Sequence, residues 1–449
     1  MKIKQAPAMF TVLAALFLVA NGHTATITAT GSGNWSSTTP DAPWPGGLVP
    51  SSTDNVTVNT PNNVTVDAVQ TIDYIAGSGT VTMAVGATLN VTGTTGGTGI
   101  TVATLNASAT DSTVDYQGNA YFTKYTTYYN LKWSNYGGPF ANLPLTVLKD
   151  FTMTGFINGQ AGGGGGLTVG GDFIVGANVV KWDISCEPCT VAGNTIIGGK
   201  LLIGCGSGAT ASFHHVTVNS GGTFDLGDTI RATISGNLTN NGTITGTGHA
   251  SINFTGNGQI TGSSPLSPPT VAFKGTTTVL DALNLTFTPD FIGTVVFDLA
   301  NPQLVTCANT LYFGNALTVI NTGGALTTGS SYQLFSAPSY NDPYTFATIN
   351  LPSLAPGLSW VSNTLTTSGS ISITGTASGG KPVISLLNSG GSLTLSWDST
   401  TFPGYTVQAQ TNSASAGLGN NWVDTGSGTP YIVPISLSSP SVFFRLAHP

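Results

Sequence analysis

Gly221-Gly222-Thr223-Phe224 and Asn241-Gly242-Thr243-Ile244 stand twenty residues apart and repeat one pattern, turn residues followed by a polar–apolar pair. Twenty residues is about the length of one coil of a β-solenoid, whose apolar face is covered only by the next coil. Around this pair, Leu167-Thr168-Val169, Phe173-Ile174-Val175, Thr195-Ile196-Ile197, Leu201-Leu202-Ile203 and Ile252-Asn253-Phe254 recur between Gly and Asn. Short alternating runs rich in β-branched residues read as strands with one buried face. Gly and Asn suit the positive-φ turns between them. No helix of three turns fits between Leu167 and about Ile260. Phe224 is therefore expected directly beside Ile244 in a shared aliphatic spine, with Thr and Asn outside. The fold class is all-β: an irregular parallel β-helix (β-solenoid) followed by a small antiparallel β-sandwich.

Composition narrows function next. The 449 residues contain 59 glycines, only 11 Lys plus Arg, and a single glutamate, Glu187. Little is left for acid–base chemistry. Lys2 and Lys4 precede the apolar run Ala8–Ala20 and small residues follow at Asn21-Gly22, the layout of an export signal over residues 1–22. Removing Lys2 and Lys4 leaves nine of the eleven Lys and Arg against 18 Asp and Glu, a net charge of −9. A basic nucleic-acid footprint is absent from such a chain. No second apolar stretch is long enough to span a bilayer as a helix. The expected location is secreted or cell-surface.

Residues 23–377 are read as the solenoid, 378–382 as a linker (Ser378-Gly379-Gly380-Lys381-Pro382) and 383–449 as the sandwich. Trp35 and Trp44, set among Pro and Gly, suit a cap on the first coil. An aromatic insertion is expected near 116–136, and its rings Tyr121, Tyr125, Tyr128, Tyr129, Trp133 and Tyr136 are the glycan-contact candidates. Large amphipathic rings are what ligand surfaces use; the plainer and favoured reading is that several of them belong to strands with one side packed. The four cysteines are Cys186, Cys189, Cys205 and Cys307. In an exported chain they are disulfide candidates, with Cys186 or Cys189 one coil from Cys205. Buried free thiols or a zinc site are the alternatives.

Catalytic readings fare poorly. A glycosidase needs two carboxylates across the scissile bond, and the available pairs are Asp111/Asp115, Asp172/Asp183 and Asp225/Asp228. Residues i and i+4 of a strand lie roughly 13 Å apart, too far for either geometry. His214 and His215 are expected on opposite faces of a strand. No catalytic residue, cofactor or metal site is assigned. Structural calcium has only Asp225 and Asp228 behind it. A regular outward threonine array, suited to ice or a carbohydrate surface, is not expected because coil lengths vary.

Several segments resemble known families. Gly33-Asn34-Trp35, Trp44-Pro45-Gly46-Gly47, Val49-Pro50 and Asp54-Asn55-Val56-Thr57-Val58 resemble the opening of secreted bacterial parallel β-helix proteins. The central repeats are similar to autotransporter-associated β-strand repeats. Leu395-Ser396-Trp397, Tyr405–Gln410, Trp422 and Phe443–Leu446 resemble a small immunoglobulin/fibronectin-like module. The resemblance implies location and fold more than activity. The expected function is an extracellular structural or adhesive surface protein that can self-associate. Carbohydrate binding is the alternative, and β-helix polysaccharide lyase or hydrolase chemistry stands behind it. The expected partners are copies of itself or extracellular polysaccharide.

Overall fold

The computed structural model describes residues 25–93, 99–118, 122–134, 140–142, 144–162, 165–184, 188–204, 210–228, 230–287, 289–340, 346–375, 381–400, 402–413, 415–435 and 441–448. Residues 1–22 and most of 378–382 lie outside these. The chain divides into two compact units. The first runs to Ala325 and takes in 331–352 and 360–372; the second comprises 326–330, 353–359 and 373–449.

The first unit is a parallel β-solenoid. Its coils pass through short strands on three faces, which pair in parallel with their counterparts one coil on, while Ser331–Gln333 pairs antiparallel with Ser370–Gly375. The first face runs through Leu145–Val147, Leu167–Val169 and the first part of Cys189–Ile197. The second runs through Phe151–Met153, Phe173–Val175 and the last part of Cys189–Ile197. The third runs through Asn158–Gly162, Lys181–Ile184, Lys200–Leu202, Thr223–Asp225 and Thr243–Thr245. Phe224 pairs with Ile244 as the repeat requires, and both are buried. Cys189–Ile197 and Thr210–Val218 run through the corner between the first two faces as single bent strands. The only helical turns among the described residues are Leu365–Ser368 and a 3-10 turn at Pro45–Gly47.

Register dictates the core. Parallel pairing sets residue upon residue, so like side chains stack in columns. Phe151 lies on Phe173, ring centroids 5.3 Å apart, and Phe254, Phe273 and Phe291 stack at 5.3 and 4.8 Å. Offset stacking of this kind adds about 0.5–1.5 kcal/mol per pair beyond the area buried. At the start of the solenoid Trp35 and Trp44 are fully buried edge to face, centroids 4.9 Å apart, and the Trp44 indole donates to the Trp35 carbonyl (2.6 Å).

Coil length is not constant. Twenty-two residues separate Leu145 from Leu167, and eighteen separate Val271 from Pro289. The difference is absorbed in the corners while the strands hold register. Turn glycines serve in two ways. Gly221 adopts φ +83°, whereas at Gly222 a Cβ would run into the Ile197 carbonyl oxygen. Close approach of coil to coil therefore explains glycine as much as positive φ does.

The second unit holds two three-stranded antiparallel sheets arranged as a small sandwich. One orders Ser385–Ser389, Ser392–Ser396 and Tyr431–Pro434; the other orders Val423–Gly426, Thr406–Asn412 and Ser441–Ala447. Leu395, Trp397 and Val407 form its buried core, flanked by Leu393, Tyr431, Val433 and Phe444.

Replacing Phe273 with Ala is expected to cost about 3–5 kcal/mol in urea unfolding, since the ring is fully buried between two others. Thr217→Ala, on an outward position of the second face, should stay within about 0.5 kcal/mol of the parent.

Candidate functional site

Two surface features emerge from the register, one on a face and one at a corner. On the first face, from Asn34 to Asn253, one side chain of each strand points outward. Pairing sets Asn34, Thr65, Thr82 and Asn106 in one column, and Thr127, Thr146, Thr168, Thr190, Ser212, Thr233 and Asn253 in another. The Ala107–Tyr128 bridge joins the two into one. All eleven side chains are small, uncharged and at least partly exposed. Their spacing is that of adjacent strands, about 4.8 Å. The other faces do not share this character. The second mixes Lys132, Ile174 and Ile196 with Thr152, Thr217 and Thr239 in its outward column, and the third carries Asp183, Leu202 and Asp225. An outward file of Thr, Ser and Asn without charge is thus present along the first face, because irregularity of coil length does not reach the strands.

The corner between the first and second faces carries a ladder of polar side chains. Asn130, Asp150, Asp172, Asn194, His215, Asn237 and Gln259 occupy successive coils in register. Asn130, Asp150, Asp172, His215 and Asn237 each accept a hydrogen bond from the backbone N–H one coil on. Asp150 N–H donates to Asn130 Oδ1 (3.2 Å), Asp172 N–H to Asp150 Oδ1 (2.8 Å) and Asn194 N–H to Asp172 Oδ1 (2.8 Å). Further along, Asn237 N–H donates to His215 Nδ1 (2.8 Å) and Gln259 N–H to Asn237 Oδ1 (3.0 Å). At a corner the backbone leaves the sheet ladder, so its donors need side-chain partners. The interval of 20 to 22 residues between Asn130, Asp150, Asp172 and Asn194 is visible in the sequence. It was missed because polar residues at turns were read only as turn formers.

His214 and His215 do not point to opposite faces. The strand Thr210–Val218 bends between them, both rings lie outside the core, and their centroids are 4.0 Å apart. His214 Nδ1 meets Ser235 Oγ at 3.1 Å. Because His215 Nδ1 accepts the Asn237 N–H, its neutral ring carries its proton on Nε2. A metal-bound imidazole needs the opposite, its second nitrogen protonated and donating. His215 is therefore unsuited to metal while that bond stands. Burial, then the neighbouring His214, hold its pKa below the usual histidine range.

Four of the candidate carboxylates have partners of their own. Asp115 is buried, 3.6 Å from Lys132 Nζ, and accepts from Gln117 and Ser134. Asp183 pairs with Lys181 (3.4 Å). Asp225 pairs with Lys200 (2.9 Å). Asp172 belongs to the corner ladder. Among the described residues no group of three or more His, Cys, Asp or Glu is placed to hold a metal ion.

Of the four glycan-contact candidates among the described residues, Tyr125, Tyr128 and Trp133 are buried. Tyr128 and Trp133 belong to solenoid strands and point into the core, where Trp133 packs on Phe151 (5.2 Å) and Trp182 (4.9 Å). Their faces are not available to a sugar, because strand alternation turns them inward. Tyr125 is also buried, its hydroxyl donating to the Val102 carbonyl (2.5 Å), and burial pushes its phenol pKa up. Tyr129 is half-buried beside the outward column, two residues after Thr127. Tyr121 and Tyr136 lie outside the described residues, as do Cys186 and Cys205. Cys189 and Cys307 are buried free thiols. Burial pushes Cys189 up to about 12, and Cys307 Sγ donates to the Phe287 carbonyl (3.2 Å).

The chain matches no family model, and no curated protein or solved structure matches it. Among the described residues no helix is long and apolar enough to cross a membrane.

Asp172→Ala removes the acceptor for Asn194 N–H and is expected to cost about 1 kcal/mol, whereas Asp172→Asn keeps an acceptor oxygen and should cost a few tenths. Urea unfolding of both variants checks this. In the native protein Cys189 should resist alkylation at about pH 8 and react only after denaturation, because the thiolate is the nucleophile and burial suppresses it. Peptide mapping of the labelled protein reads the result.

Proposed function

We propose that the protein is an extracellular structural or adhesive scaffold whose first face is its contact surface, and that this surface meets polysaccharide. The observation carrying this reading is the unbroken column of Thr, Ser and Asn from Asn34 to Asn253, uncharged through eleven coils while the other two faces carry charge or bulk. Hydroxyl and amide groups both donate and accept hydrogen bonds, which matches a hydroxyl-rich repeating ligand and requires no charge. Tyr129 borders the column and offers one amphipathic ring. Asp115, Asp172, Asp183 and Asp225 being held by neighbouring side chains or backbone supports adhesion over hydrolysis. An export signal at 1–22 and the resemblance to secreted β-helix proteins support the extracellular setting. The resemblance of 383–449 to an immunoglobulin/fibronectin-like module fits an accessory domain on such a scaffold.

Sedimentation with a panel of insoluble polysaccharides tests this reading. The parent chain should bind at least one of them. Thr168→Lys with Thr190→Lys should weaken that binding about tenfold or more, as loss of two hydrogen-bonding sites and insertion of two long side chains implies. Thr217→Lys with Thr239→Lys, on the second face, should leave it unchanged. Equal binding by both pairs, or none by the parent, overturns the assignment of that face.

A further inference from the structure

The corner ladder uses three kinds of acceptor: carboxylate, amide and, at one coil only, imidazole. Carboxylate and amide oxygens accept hydrogen bonds throughout the physiological pH range. An imidazole nitrogen accepts only while it is unprotonated. We propose that His215 is a pH-sensitive rung: its protonation releases the Asn237 amide and loosens the coil that starts at Arg231 from the coil before it.

The geometry leaves little alternative for the added proton. Asn237 N–H points at Nδ1 from 2.8 Å, so a proton there sets donor against donor. The ring cannot settle closer to the next coil, because Gly236 lies against it: a Cβ at Gly236 would sit 2.6 Å from His215 Cε1 and Nδ1. On its own strand the ring faces His214 at 4.0 Å, a second imidazole whose charging would add repulsion. From the preceding coil it faces Asn194, and Asp172 lies one coil further with its Oδ1 held by the Asn194 backbone and side-chain N–H groups. From the following coil it faces Ser235, Gly236 and Asn237, none of which titrates.

The direction of the effect follows from linkage. The folded-state pKa of His215 lies below that of an unfolded histidine, about 6.5. The unfolded state then binds more protons in that window. Stability contributed by the rung is complete above the unfolded value and is lost as pH falls through the folded one. In a solenoid each coil contacts only its neighbours, so the loss is a local opening rather than a uniform weakening.

Backbone hydrogen exchange on the full chain, corrected for intrinsic exchange rates, tests this. The Asn237 amide should lose about threefold or more of its protection between about pH 7.5 and pH 5.5. The Asn194 and Gln259 amides, capped by Asp172 and Asn237, should change less. His215→Asn places at this rung the residue type found at the rungs on either side, and should abolish the pH-dependent loss. His214→Asn leaves the Asn237 bond in place and should retain it. Unchanged protection at Asn237 in the parent chain overturns the proposal, as does an equal loss in His215→Asn. Should His215→Asn fail to fold, the parent and His214→Asn measurements decide the matter.

Discussion

The parallel hydrogen-bond ladder from coil to coil is the constraint on which the first unit rests. A strand of three residues has too little surface to hold itself, and its backbone groups need partners on both sides. The neighbouring coils supply them. Once that pairing is set, each side chain inherits the position of its counterpart, which is why Phe151 meets Phe173 and Phe273 meets both Phe254 and Phe291. Inward columns become one continuous core, and outward columns become long surface stripes.

Variation is displaced into the corners as a result. Coils of twenty-two and eighteen residues coexist because insertions and deletions fall where the backbone leaves the sheet. Corners then carry their own requirements. Gly222 gives the backbone room beside the Ile197 carbonyl, and the series from Asn130 to Gln259 satisfies amides that the sheets do not reach. A chain built this way needs many glycines and short polar residues and few charges. Some of the charges are paired locally, as with Lys132 and Asp115 or Lys200 and Asp225.

The same logic separates what was legible in the sequence from what was not. The twenty-residue interval between Phe224 and Ile244 identified stacked coils because inward positions repeat. For the aromatic residues of 116–136 the density of rings said nothing of direction, and packing on strands is what Tyr128 and Trp133 show. Tyr128 and Trp133 occupy alternate strand positions and turn inward, while Tyr129, between them in sequence, stays at the corner. His214 and His215 misled, since alternation was assumed where the strand bends.

By itself, the order of residues determined an all-β chain of stacked short strands with a separate antiparallel unit near its end, because alternation and turn chemistry are local properties. Only the tertiary structure decided that Thr127, Thr146, Thr168 and Thr190 form one file and that His215 caps the amide of Asn237. Those residues are about twenty apart in the chain, and the register that brings them together belongs to hydrogen bonds between coils, which no single segment contains.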